Sequence, residues 1–267
     1  MAPEHPAIIE DGVVGTVPPS VVTHLGPDDP ELDDRDDPGR TRAGIPIRMV
    51  ALDMAGTTVA DAGAAEEAFQ RALDAVGVTA GTLSADPDDY IRRAMGQSKI
   101  TVFSELLEGD RHRAERANQA FELAFDQAVG RGEVGALPGA EQVFARLRDA
   151  GMRICLTTDF SPATRERIVE ALGWKGSIDL ALSPADAGRG RPWPDMILTA
   201  VLRLRIDDVA EVAVVGDTAN DLLAGTRSGA SLVIGVLSGA QSRSELAQAP
   251  HTHLLESVAD LPELLAL

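Results

Sequence analysis

The sequence predicts an α/β protein, a Rossmann-like doubly wound parallel sheet with an inserted helical module. Three observations carry that expectation. Short apolar runs at residues 49–52, 152–157, 212–215 and 231–236 each end near a small, polar or acidic residue and lead toward a helical pattern, as strands buried on both faces do. Repeated strand–loop–helix units connect by right-handed crossovers and so wind a parallel sheet. Between the first two runs lie about 90 residues with helical periodicity at 64–76, 88–107 and 112–129, where a plain crossover needs only about a dozen.

Taken in order, residues 1–46 stand apart. They carry ten acidic and three basic side chains and many prolines, a composition that cannot bury enough apolar surface to fold, so a disordered acidic tail is expected. The catalytic core is expected over 47–62 and 137–267, with the module at 63–136 as a helical cap. Leu137-Pro-Gly-Ala140 marks re-entry by turn chemistry followed by a helix. Hinges are expected near 60–63 and 132–139.

Composition narrows the function. A hydrophobic share of 44% supports one full core plus the module. A net charge of -18 leaves no basic face for nucleic acid. A small anionic substrate still fits, because a metal ion and a few local cations can dominate a cleft. No apolar run approaches the roughly 20 residues of a membrane span, and the N-terminus lacks a secretory layout. The single cysteine, Cys155, cannot staple a fold, which points to a reducing cytoplasm and a buried thiol.

In such sheets ligands collect at the carboxyl ends of the strands, and four pieces of sequence converge there. Asp53-Met-Ala-Gly-Thr-Thr58 follows the first run directly; a carboxylate so placed can attack phosphorus and split one displacement into two easier ones. Thr157 and Thr158 end the run containing Cys155; either hydroxyl can donate to a phosphoryl oxygen or cap a helix. Arg191, in Gly190-Arg-Pro-Trp-Pro194, is always charged and can hold both the carboxylate and a phosphoryl group. Asp217 and Asp221, in Val215-Gly-Asp-Thr-Ala-Asn-Asp221, flank a strand-to-helix turn and offer the hard oxygens that suit Mg²⁺.

In order, strand context and spacing, these motifs resemble the haloacid dehalogenase superfamily over residues 47–267. The resemblance implies a Rossmann-like core, a mobile helical cap, Mg²⁺ and an aspartyl-phosphate intermediate. It makes Asp53 the nucleophile and a metal ligand, and the Ala55 carbonyl a second ligand. Thr57, Thr157, Thr158 and Arg191 become the phosphate-binding set. Asp217 becomes a metal ligand, supported by Asp221 directly or through water.

One position departs from the superfamily's ordinary phosphatases, which carry an acidic residue where this chain has Ala55; losing that general acid should hurt ester hydrolysis by about 10²–10⁴-fold. The Asp-x-Ala-Gly-Thr motif and Arg191 resemble instead the phosphonatase family, phosphonoacetaldehyde hydrolase. Its cap motif Met-Gly-x-x-Lys matches Met95-Gly-Gln-Ser-Lys99, which implies that Lys99 forms a Schiff base with a substrate aldehyde. Of 24 lysines and arginines only Lys99 and Lys175 are lysine, and arginine cannot form that bond. Three positions differ from the family: Val102 replaces a histidine, Phe160 in Thr158-Asp-Phe-Ser161 lacks the tyrosine hydroxyl, and Asp159 replaces a glycine. The expected substrate is therefore a small phosphonate, with a small phosphate monoester as the alternative. A homodimer through the cap is implied by the resemblance alone.

Overall fold

The computed structural model describes residues 44–78 and 98–267. The acidic tail, apart from its last residues, and the Met95-Gly-Gln part of the lysine motif lie outside the described residues, as does the helical pattern from 88 to 97. Six strands form a parallel sheet: β1 (Met49–Asp53), β4 (Arg153–Thr157), β5 (Leu180–Leu182), β6 (Val212–Gly216), β7 (Leu232–Val236) and β8 (His253–Leu255), in the order β5-β4-β1-β6-β7-β8. The apolar runs of the sequence are the four inner strands, β4, β1, β6 and β7. β5 and β8 are three-residue edges.

Alternation along each strand explains the two-faced burial. Val50, Leu52, Ile154, Leu156, Ala213 and Val215 enter the larger apolar cluster, together with Val143, Phe144 and Leu147 of the helix Ala140–Asp149. Met49, Ala51, Cys155, Val212 and Val214 enter a second cluster, against Met196, Ile197, Ala200 and Val201 of the helix Asp195–Leu204. Burial raises the Cys155 thiol to about 12, so it is a packing group and not a nucleophile.

Register sets the site. Asp53 pairs with Thr157 and Leu52 with Val215, so the ends of β1, β4 and β6 sit side by side. β1 is followed by a turn in which Gly56 has φ +83, a left-handed conformation natural to glycine. A Cβ there would lie 2.5 Å from Asp217 Oδ2, so the close approach also requires it. The chain then runs through β2 (Val59–Ala60) into helices α1 (Ala64–Ala75), α2 (Lys99–Leu106) and α3 (Arg111–Gly130) and returns through β3 (Gly135–Ala136). β2 and β3 pair antiparallel, Val59 opposite Ala136, so the two connections expected as hinges are bonded to one another.

Helices α1–α3 share the larger apolar cluster with the sheet. Phe69 stacks on Phe103 at 4.9 Å, Phe103 meets Phe121 at 6.3 Å, and Phe125 meets Phe160, in the loop after β4, at 4.4 Å between ring centroids. No helix among the described residues is long and apolar enough to cross a membrane.

Candidate active site

At the carboxyl end of the sheet lies a cleft whose walls include Asp53, Ala55, Lys99, Thr158, Asp159, Phe160, Arg191 and Asp217. Asp53, at the end of β1, is buried. Its Oδ1 accepts a hydrogen bond from Arg191 at 2.6 Å. Burial pushes its carboxyl well above the usual carboxylate range; Arg191 opposes this, while Asp221, Asp217 and Asp159 add to it.

Arg191 sits at the centre of the charges. It donates to Asp53, Asp159 and Asp221, and all four groups are buried. Burial alone would lower its pKa, but Asp159, Asp221 and Asp53 outweigh that and hold it well above the usual value. Its Nε has no hydrogen-bond partner among the described residues. A buried N–H left unpaired is costly, and here it is a donor available to an anionic ligand. The following Pro192 is joined by a cis peptide bond.

Asp217 follows β6 and is clasped by backbone. It accepts from Ala240 N at 2.7 Å and from Thr57 Oγ1 at 3.2 Å. A Cβ on Gly239 would lie 2.0 Å from its Oδ2, so only glycine fits beside it. Burial and then the charge of Asp221 raise the Asp217 carboxyl to about 6, against the pull of Ala240, Arg191 and Thr57. Asp221 is the third helical residue of the helix Ala219–Ser228 and forms a reciprocal cap with Thr218, whose Oγ1 donates to its Oδ2 at 2.5 Å. It is thus a helix-capping residue and a member of the acidic cluster together.

One carboxylate oxygen from each of Asp53, Asp217 and Asp221 lies within 4.8 Å of the others. Among the described residues at this site, four buried carboxylates, Asp53, Asp159, Asp217 and Asp221, meet two buried cations, Arg191 and Lys99. A divalent cation would balance that excess, and oxygen ligands of this kind fit Mg²⁺.

The threonines separate. Thr158 lines the cleft and its Oγ1 accepts from Phe160 N at 3.2 Å, leaving the hydroxyl proton to donate. The Thr157 hydroxyl is aimed at Leu52 O, 3.5 Å away, and Thr157 faces a separate small pocket bordered by Trp193 and Met196. Thr57 serves Asp217 rather than the cleft. The structure therefore brings Asp53, Ala55, Lys99, Thr158, Arg191 and Asp217 together on one cleft, with the Asp221 carboxylate beside those of Asp53 and Asp217.

Lys99 is the first residue of α2. It is 8% exposed and lines the same cleft as Asp53. Its Nζ lies 5.7 Å from the centroid of the Phe121 ring. Burial lowers its pKa; Asp159 pulls it back most strongly, Arg191 lowers it further, and Asp53 and Glu122 raise it. A position in the first turn of a helix also disfavours a cation.

Comparison with known proteins follows this geometry. The family profile for haloacid dehalogenase-like hydrolase matches residues 47–229. The chain belongs to that family. Among its relatives, the phosphonoacetaldehyde hydrolase of Bordetella pertussis is 29% identical over 85% of this chain and 94% of the relative. Among solved structures, a hydrolase from Pseudomonas syringae aligns with a TM-score of 0.71 at 25% identity, over 81% of this chain and 96% of that one. A phosphonoacetaldehyde hydrolase-like protein from Oleispira antarctica aligns with a TM-score of 0.70 at 23% identity, over 83% and 92%. This haloacid dehalogenase-like chain is a hydrolase with a Rossmann-like sheet.

Two residues of the site carried no functional reading in the sequence. Asp159 stood out only as a replacement for glycine. Its signal lay in position, two residues beyond the end of β4 in a chain with few buried charges. Glu122, mid-helix in α3, gave no signal, because its partners Ser161 and Thr164 are reached only through the tertiary fold: it accepts from Ser161 Oγ at 2.6 Å and from the Thr164 hydroxyl.

Proposed function

We propose that this hydrolase cleaves the carbon–phosphorus bond of a small carbonyl phosphonate of the phosphonoacetaldehyde type, with Asp53 attacking phosphorus and Lys99 activating the carbonyl as a Schiff base. The observation that carries this is the shared cleft: one of only two lysines is buried, its pKa is lowered, and it faces the same space as Asp53. A neutral amine is what carbonyl addition requires.

In this reading Arg191 Nε and Thr158 hold the phosphoryl oxygens, and Arg191 favours the ionised form of Asp53 against burial and the neighbouring carboxylates. Asp53, Asp217, Asp221 and the Ala55 carbonyl would hold Mg²⁺, which when bound supplies charge stabilisation at the phosphoryl oxygens. An Asp53 oxygen bonds to phosphorus as the carbon–phosphorus bond breaks, and that electron pair moves into the Lys99 iminium to give an enamine. Water then releases phosphate from Asp53; protonation at carbon and hydrolysis free Lys99. No leaving alkoxide forms, so Ala55 costs nothing. Helices α1–α3 act as the cap that excludes water.

A phosphatase acting on a small phosphate monoester is the second reading. It is favoured by Val102 and Phe160, which are buried and apolar where a proton-carrying side chain would serve imine chemistry. Borohydride reduction with phosphonoacetaldehyde decides between them. A stable adduct on Lys99, found by mass spectrometry and missing in Lys99→Arg, is expected. No adduct, with rapid phosphate release from simple esters, would reject the phosphonate reading.

A further inference from the structure

Imine formation needs a group that moves protons between nitrogen and oxygen, and neither Val102 nor Phe160 can. Among the described residues, the ionisable ones on the cleft wall are Asp53, Lys99, Asp159, Arg191 and Asp217. Asp53 is committed to phosphorus. Asp217 is clasped by Ala240 and Thr57. A guanidinium holds its proton throughout the neutral range. Glu122 is taken up by Ser161 and Thr164.

Asp159 differs from all of these. It is 8% exposed and one oxygen, Oδ2, is paired with Arg191. The other, Oδ1, is buried and has no hydrogen-bond partner among the described residues. A carboxylate oxygen left unpaired in a closed site is costly to keep, and it is an acceptor waiting for a donor. The donor at hand is Lys99, which lines the same cleft as Asp159 and whose charged form Asp159 favours.

We infer that Asp159 is the proton-transfer group for Lys99, working through Oδ1 while Oδ2 stays on Arg191. This rests on the reading that Lys99 forms a Schiff base. Asp159 takes one proton from the Lys99 ammonium and frees its lone pair. The amine bonds to the carbonyl carbon as the C=O π pair moves to oxygen, and a second N–H proton passes to that oxygen. Asp159 then returns its proton to the hydroxyl, which leaves as water while the nitrogen lone pair closes the C=N bond. Ammonium plus aldehyde gives iminium plus water, and Asp159 ends as it began. The residue that breaks the family's glycine pattern thus replaces, from the sheet side of the cleft, the proton carrier missing from the helical side.

The test uses the full-length chain, borohydride quenching at timed intervals with phosphonoacetaldehyde, and calorimetric titration with inorganic phosphate. Asp159→Asn should slow accumulation of the Lys99 adduct by about 10²-fold or more without weakening phosphate binding. Asp159→Gly restores the residue of the related family and serves the same measurement if the amide variant does not fold. Adduct formation at the wild-type rate in these variants overturns the inference. So does a slowing matched by an equal loss of phosphate affinity, because Asp159 would then act only by placing Arg191. If the wild-type chain itself gives no adduct, the Schiff-base reading fails and takes this step with it.

Discussion

The two walls of the cleft obey different rules. The sheet wall is polar and, apart from Asp159 Oδ1 and Arg191 Nε, paired within itself: Asp53, Asp159, Asp217 and Asp221 converge on Arg191 and on backbone donors, with Asp53 and Asp217 at strand ends and Asp221 in a helix cap. The helical wall is apolar, with Lys99 set above Phe121 and backed by Val102 and Phe103. Among the described residues of this wall, Lys99 has no comparable network. The difference teaches how labour divides. The sheet prepares a site for a phosphoryl group and a divalent cation from residues close in the fold, whereas the helices contribute desolvation and one tuned amine.

The largest effect should come from the sheet wall. Asp53→Asn keeps the size and removes the attacking oxygen, and steady-state phosphate release should fall by at least about 10⁴-fold, with the thermal transition kept. Turnover within tenfold of wild type would break the comparison, because phosphorus chemistry would then not reside at β1.

The next test sharpens the claim that the sheet wall is short of positive charge. The folded chain holds a proton on Asp217 up to about pH 6, against 3.8 for an ordinary aspartate. Ionising it therefore costs stability as pH rises from about 4 to 6, and the cost is constant above that. Mg²⁺ competes with that proton, so the rise in Tm on adding Mg²⁺ should be small at pH 5, grow through pH 6 and level off by pH 7.5. At about 100 times Kd the gain is about 2.7 kcal/mol, or roughly 5–10 °C for a chain of this size. Calorimetric scans with Mg²⁺ and with chelator read it directly; a rise independent of pH would place the ion elsewhere.

The smallest effect concerns how the walls meet. Glu122 on α3 ties to Ser161 and Thr164 at the start of the helix Pro162–Ala171. Glu122→Ala should cost about 1–2 kcal/mol, lowering Tm by a few degrees, without abolishing phosphate release. A drop as large as that from truncating Phe121, about 3–5 kcal/mol, would mean that the tie and not the aromatic packing holds the helices to the sheet.

The inner strands were legible because burial on both faces writes an uninterrupted apolar run. β5 and β8 were not: each is a three-residue edge, half-buried apart from Leu182, and residues such as Asp179 and His253 break the pattern. The two-residue strands β2 and β3 owe their pairing to the geometry of the connections and leave no periodic trace. Asp53, Arg191, Asp217 and Asp221 were legible because strand ends and tight turns confine such groups to few places. Which of Thr157 and Thr158 faces the cleft was hidden, since neighbouring strand residues point to opposite faces and only the register decides. Asp159 looked like a loss from a pattern; its partner Arg191 is 32 residues away, and only folding shows the pair.

The burial of Cys155 has a practical consequence. It is the sole cysteine of the chain, and with its thiol held near 12 only on the order of one part in 10⁵ is thiolate at pH 7. Maleimide reagents therefore meet a silent background, and no cysteine-free precursor need be engineered. Leu123 on α3 and Leu202 on the helix Asp195–Leu204 are 61% and 78% exposed. Fluorophores attached at Leu123→Cys and Leu202→Cys would report the separation of the helical layer from the sheet, molecule by molecule, as ligand is added.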